Sequence, residues 1–317
     1  MIKVLFLFLC GLLFISCNQN SKEGMENLSD FKIVYNVLED AENDNYEIFV
    51  MNTDGSNKKN ISNWKGVDWA YYSFNDKIYF LSDRDTCHRC AYYLYELDSD
   101  GNNVRKITNF PLKDSWLSSR KAGMELIVTP KLKSDSAFYI IDLQGNIVDK
   151  VYTGLQYYND PVFSPNGNQI VFRGGNTKTK NGLKYIDELY LINVDGSGLK
   201  QLTYYPADDT TAEWYAYKAG PPIWEANKNI ITYASKQNGN YSIYSINPDG
   251  TGLTQMTPDS TDEIYHSWSP GGDWLIFDGV QEEENYDIFL MNFRTKEILR
   301  LTTDAKYEQG PVFVKQN

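Results

Sequence analysis

One fifteen-residue phrase recurs along this chain and limits what the chain can fold into. Residues 189–203 read LYLINVDGSGLKQLT: an alternating apolar run, an Asn-x-Asp-Gly turn, a short polar step and a closing Leu-Thr. The phrase returns at 48–62 (IFVMNTDGSNKKNIS), 94–108 (LYELDSDGNNVRKIT), 243–257 (IYSINPDGTGLTQMT) and 288–302 (IFLMNFRTKEILRLT), with a worn copy at 138–152 (FYIIDLQGNIVDKVY). Six copies, roughly 45 to 50 residues apart, point to an array or a ring of like units rather than a string of unrelated domains.

A second pair of alternating segments precedes each phrase. Residues 160–172 (DPVFSPNGNQIVF) show it most clearly, and 267–277, 222–233, 69–80 and 116–128 repeat the shape, the last with the greatest divergence. Asn-Gly and Asp-Gly pairs between period-two apolar runs are strong hairpin signals, because both central turn positions want positive φ. Each unit therefore holds four short antiparallel strands, A to D. The expected fold is all-β: a six-bladed β-propeller of four-stranded antiparallel blades over residues 31–317. The first unit begins at 31–35 (FKIVY) without a strand A, and residues 309–314 (QGPVFV) supply a lone strand A. The C-terminal strand is expected to complete blade one and close the ring, protecting edges that invite aggregation.

Residues 1–16 lie outside this pattern. Lys3 gives a positive start, and residues 4–16 are almost wholly apolar, too short for a spanning helix but suited to an export signal. Ser16 directly before Cys17 resembles the end of a bacterial lipoprotein signal, so Cys17 is the expected lipidated first residue of the mature chain. The mostly polar stretch 17–30 is expected to be a flexible tether. Cys87 and Cys90 are expected to form a local disulfide, which an extracytoplasmic compartment permits. A redox pair or a zinc site using His88 fits the context less well.

In a four-stranded blade the A–B and C–D turns share one face, and the B–C and D–A connections share the other. The first set is short and stereotyped. The second is irregular, most of all at 173–187 and 204–220, and irregular loops on a regular scaffold are where binding usually resides. An acidic residue recurs near the start of each strand A: Asp68, Asp114, Asp160, Glu213, Asp262 with Glu263, and Glu308. Trp69, Trp116, Tyr158, Trp214 and Tyr215 lie beside them, with Trp64, Tyr157, Tyr217, Tyr265 and Tyr307. Around a channel mouth these would form a negative socket with aromatic contact area. The alternative is local turn chemistry and inter-blade packing. The expected ligand-binding set is Asp68, Trp69, Trp116, Tyr158, Asp160, Trp214, Tyr215, Asp262, His266 and Glu308.

Composition narrows the function classes. Forty-two acidic residues against 30 basic ones give a net charge of -12, and no basic footprint for nucleic acid is present. With two His in all, and neither a Gly-x-Ser-x-Gly elbow nor a His-Glu-x-x-His motif, hydrolase chemistry has little support. If the mouth were catalytic, Asp160 and Asp262 would be the carboxylates, with His266 or Lys218 facing a uronate. The acidic mouth leaves calcium open, and no other cofactor is implied.

The Ser-Pro-Asn-Gly turn with Ile-Val-Phe, followed by the phrase at 189–203, resembles the repeat of TolB-type β-propellers over residues 31–317. That resemblance implies a six-bladed ring that binds envelope proteins. The family's separate N-terminal domain has no room between Cys17 and Phe31. Oligogalacturonate lyases resemble the blades too, but their His-rich metal site is not matched. The expectation is a monomeric, lipid-anchored binding module of the outer membrane, facing the periplasm or the cell surface. It would hold an envelope protein or glycan on the B–C and D–A face, with membrane contact through the lipid alone. The alternative is a carbohydrate-active lyase or glycosidase.

Overall fold

The computed structural model describes residues 27–178, 186–204, 218–258, 261–280 and 285–316. Its strands form six four-stranded antiparallel sheets. Blades two to six each take four consecutive strands. Blade one takes B, C and D from Phe31–Asp40, Asn45–Asn52 and Lys59–Asn60, and its strand A from Glu308–Lys315. That last strand pairs Phe313 with Ile33 and Val312 with Val34, so the two ends of the chain close the ring as expected. The helical content of the described residues is one short 3₁₀ turn, Leu28–Asp30.

The core is split among the blades. Six apolar clusters each fill the wedge between one neighbouring pair of blades. Inner strands are therefore buried on both faces. This is why strand B reads as a nearly continuous apolar run, Ile170-Val171-Phe172 in blade four and Leu275-Ile276-Phe277 in blade six.

The repeated phrase has a physical reason at each end. Its Asp folds back on the turn: Asp195 Oδ1 accepts the Ser197 N–H at 2.9 Å, while Gly196 takes φ +82°, a region open to glycine. Its closing hydroxyl satisfies an N–H in the first half of strand C. Thr203 Oγ1 accepts from Leu189 N at 2.8 Å, Thr257 from Ile243 at 2.9 Å and Thr302 from Ile288 at 2.9 Å, with Ser62 and Thr108 doing the same. Blade three places Tyr152, 57% exposed, where the others have this hydroxyl, which accounts for its worn phrase.

Candidate functional site at the channel mouth

Strand A lines the channel, and its register against strand B shifts in blades one, two, four and six. Such bulges bend a strand and re-aim its side chains. The bulge residue is Asp160 in blade four, at φ +54°, and Gly310 in blade one, at φ +62°, each followed by proline. Asp160 is held in this uncommon conformation from several sides. Ser115 Oγ accepts its N–H at 3.0 Å, the Trp116 N–H donates to its Oδ1 at 2.8 Å, and Arg173 Nε donates to its Oδ2. Arg173 also reaches Asp187, 3.2 Å away, and Lys218 lies 3.7 Å from the same carboxylate.

Three aromatic rings cross the channel. Tyr71 of blade two stacks on Trp116 of blade three with centroids 4.1 Å apart. Trp116 in turn meets Tyr265 of blade six, on the far side of the ring, at 4.6 Å. This stack separates two vestibules. The one on the B–C and D–A side has about 240 Å³ and is walled by Asp114, Asp160, Arg173, Lys218 and Tyr241 over a floor of Trp116 and Tyr265. The other, about 300 Å³, opens among the A–B turns beside Trp224 and Trp268. Tyr71 borders both.

Asp114 is the carboxylate most open to the first vestibule. The Tyr71 hydroxyl donates to it at 2.7 Å. Desolvation by the surrounding protein raises its pKa despite that bond, with the Asp160 charge adding to the effect.

The predicted residues divide between this vestibule and the wedges. Trp116, Asp160 and Lys218 meet in the vestibule. Asp262 is half-buried and accepts the Tyr241 N–H at 2.5 Å. Asp68 is fully buried against Arg84, and burial pushes its pKa up to about 6. Trp69 is buried beneath the Arg89 guanidinium, which lies 4.9 Å above its ring. Tyr158 packs edge-on to Phe138 with the Lys113 ammonium 4.1 Å from its ring. Glu308 is buried, and burial pushes it to about 7. His266 faces away from the vestibule, its Nε2 2.8 Å from Thr232 Oγ1, and burial lowers its pKa to about 3. Cys87 and Cys90 are joined by a disulfide. Cys17, Glu213, Trp214, Tyr215 and Tyr217 lie outside the described residues. Among the described residues no group of three or more His, Cys, Asp or Glu is placed to hold a metal ion, so calcium at the mouth has no support there.

Sequence reasoning missed one structural position, the residue after the large apolar side chain of strand B. Asn36 reaches from blade one to blade two, accepting the Ala70 N–H at 2.7 Å and donating to the Ala70 carbonyl at 3.0 Å. Asp278 of blade six accepts the Tyr265 N–H at 3.0 Å and the Gly310 N–H at 2.7 Å. Burial outweighs these bonds and pushes its carboxyl to about 7. Arg173 holds the same position in blade four. A polar residue closing an otherwise apolar B strand was the available signal.

Fold and site together define a propeller whose channel is crossed by an aromatic stack, with a polar, aromatic-floored vestibule on its irregular face. The sequence profile of the TolB beta propeller domain matches residues 72–314, and the chain belongs to that family. Among solved structures, TolB from Acinetobacter baumannii superposes with a TM-score of 0.70 at 17% identity, covering 92% of this chain and 69% of that one. A putative TolB from Agrobacterium tumefaciens gives 0.63 at 14% identity, covering 89% and 91%. Hydrazine synthase from Kuenenia stuttgartiensis gives 0.65 at 14% identity, covering 92% and 47%, so the likeness extends to a differently named protein.

Proposed function

We propose that this chain is a non-catalytic, lipid-anchored module of the bacterial envelope that holds a protein partner on its B–C and D–A face. Membership of the TolB propeller family supports a protein partner, and the apolar stretch ending at Cys17 supports the anchor and an outer-membrane location. No helix of the described residues is long and apolar enough to cross a membrane.

The vestibule carries the reading. Its floor is aromatic, its accessible carboxylate is Asp114, and its volume of about 240 Å³ suits one side chain. A partner group seated there gains ring contact together with a charge-assisted hydrogen bond. His266 packs onto Thr232 away from the vestibule and is not placed to act as a base on a group seated there.

The test is capture from envelope extract by the full-length protein, comparing the parent with Asp114→Asn and with the double variant Trp214→Ala/Tyr215→Ala. The expected result is at least a tenfold loss of the captured protein with unchanged thermal unfolding. Undiminished capture by both variants would move the partner off this face. Capture of a glycan instead, or turnover of a uronate oligosaccharide, would replace the reading.

A further inference from the structure

The vestibule opens on one face, and the chain leaves the ring on the other. Strand B of blade one, Phe31–Asp40, starts at the A–B and C–D turn face and runs towards the B–C face. The exit is fixed in place. Leu28 is buried in the wedge between blades six and one, the Gln316 N–H donates to the Asp30 carbonyl at 2.8 Å, and its Nε2 donates to the Ser29 carbonyl at 3.1 Å.

The chain between Cys17 and Asn27 is too short to reverse this geometry. Ten links span at most roughly 35 Å. To reach the B–C face from the exit, the chain must pass strands C and D and then climb the blade. Two strand spacings of about 5 Å and ten residues of about 3.3 Å rise come to roughly 43 Å.

The exit face also matches a flat partner. Four blades expose an aliphatic side chain at one repeat position, just before or at the start of strand D on this rim: Val104 at 43%, Val148 at 49%, Leu199 at 41% and Leu253 at 51%. Singly these are ordinary surface residues. They sit on separate blades, so a pocketed partner would meet one of them, whereas a planar surface meets all four. Lys121, Lys296 and Lys315 are exposed in or beside the turns of the same face, but so are Asp54, Asp100, Asp195 and Asp249 of the repeated turns, and Lys121 pairs with Glu125 at 2.7 Å, so the aliphatic rim and the chain exit, not charge, distinguish this face.

We propose that the A–B and C–D turn face is the membrane side of the molecule. Its aliphatic rim rests on the lipid headgroups, and the vestibule is presented away from the bilayer. The proposal depends on the lipid anchor at Cys17.

The experiment uses the full-length chain, processed in a lipoprotein-exporting bacterium and reconstituted into phosphatidylethanolamine–phosphatidylglycerol vesicles that carry a nitroxide headgroup lipid. One dye is attached through Gln144→Cys, in the C–D turn of blade three, and in a second sample through Glu42→Cys, in the B–C turn of blade one; both positions are exposed. The expected result is flotation with the vesicles and at least threefold stronger quenching at position 144. Flotation with equal or reversed quenching overturns the orientation and leaves the anchor standing. Failure to float, matched by a Cys17→Ser control, overturns the anchor and this proposal with it.

Discussion

Trp116 and Tyr265 come from blades three and six, on opposite sides of the ring, yet their rings meet with centroids 4.6 Å apart. The ring is thus braced across its axis as well as around its circumference. Replacing Trp116 with Ala removes the stack on Tyr71 as well and joins the two vestibules. The expected loss is about 3–5 kcal/mol, as for other buried Trp truncations. Urea unfolding measures it. A double-mutant cycle with Tyr265→Ala should return about 0.5–1.5 kcal/mol of coupling. Zero coupling would make the stack incidental to stability.

The closing hydroxyl of the repeat offers a second test. Thr302 is fully buried, and its Oγ1 accepts the Ile288 N–H at 2.9 Å. Thr302→Val keeps the shape and leaves that N–H unpaired. Such an orphan donor costs about 1–3 kcal/mol. Equilibrium unfolding of the variant checks this, and a change under 0.5 kcal/mol, the ordinary range for surface substitutions, would show that the N–H finds another acceptor.

The repeat made the fold readable because each of its letters has a local task. The Asp-Gly turn and the closing Thr act within a blade, so their meaning travels with the sequence. The site is different, since it is assembled from several blades. Asp68, Asp160 and Glu308 look alike in sequence, but only Asp160 borders the vestibule, because its bulge turns it inward while the others settle between blades. His266 follows Tyr265, which faces the channel, and so it packs the other way onto Thr232. The B-strand position at which Asn36 and Asp278 link neighbouring blades holds Leu81, Thr129, Arg173 and Ala234 in the other four, so a search for one recurring letter passes over it.

His266 supplies a direct spectroscopic prediction. Burial lowers its pKa from 6.5 to about 3, so the folded chain keeps it neutral while the unfolded chain protonates below 6.5. Its contribution to stability is therefore present above 6.5 and lost as pH falls towards 3. The chain has two His, which makes the imidazole signals simple to follow. The His266 resonance should stay flat from about pH 8 to about pH 5, a range in which an ordinary His titrates. A midpoint near 6.5 would place it in contact with solvent.

Glu263 acts with the opposite sign. It is fully buried, with Thr257 Oγ1 donating to it at 3.0 Å and Thr261 Oγ1 donating to its other oxygen. Burial outweighs these bonds and raises its pKa from 4.5 to about 8. Between those values the folded state keeps a proton that the unfolded chain has released. Its stabilising contribution is thus complete below 4.5 and disappears as pH rises to about 8. Glu263→Gln retains the size and removes the titration. The variant should match the parent near the acidic end of this window and exceed it in urea midpoint at the alkaline end. Asp68, Asp278 and Glu308 are shifted in the same direction and His266 in the other, so the raw slope of the parent mixes all five. The difference between parent and variant isolates Glu263. A difference that does not change with pH would mean that Glu263 is ionised inside the ring, with the two threonine hydroxyls sufficient to hold its charge.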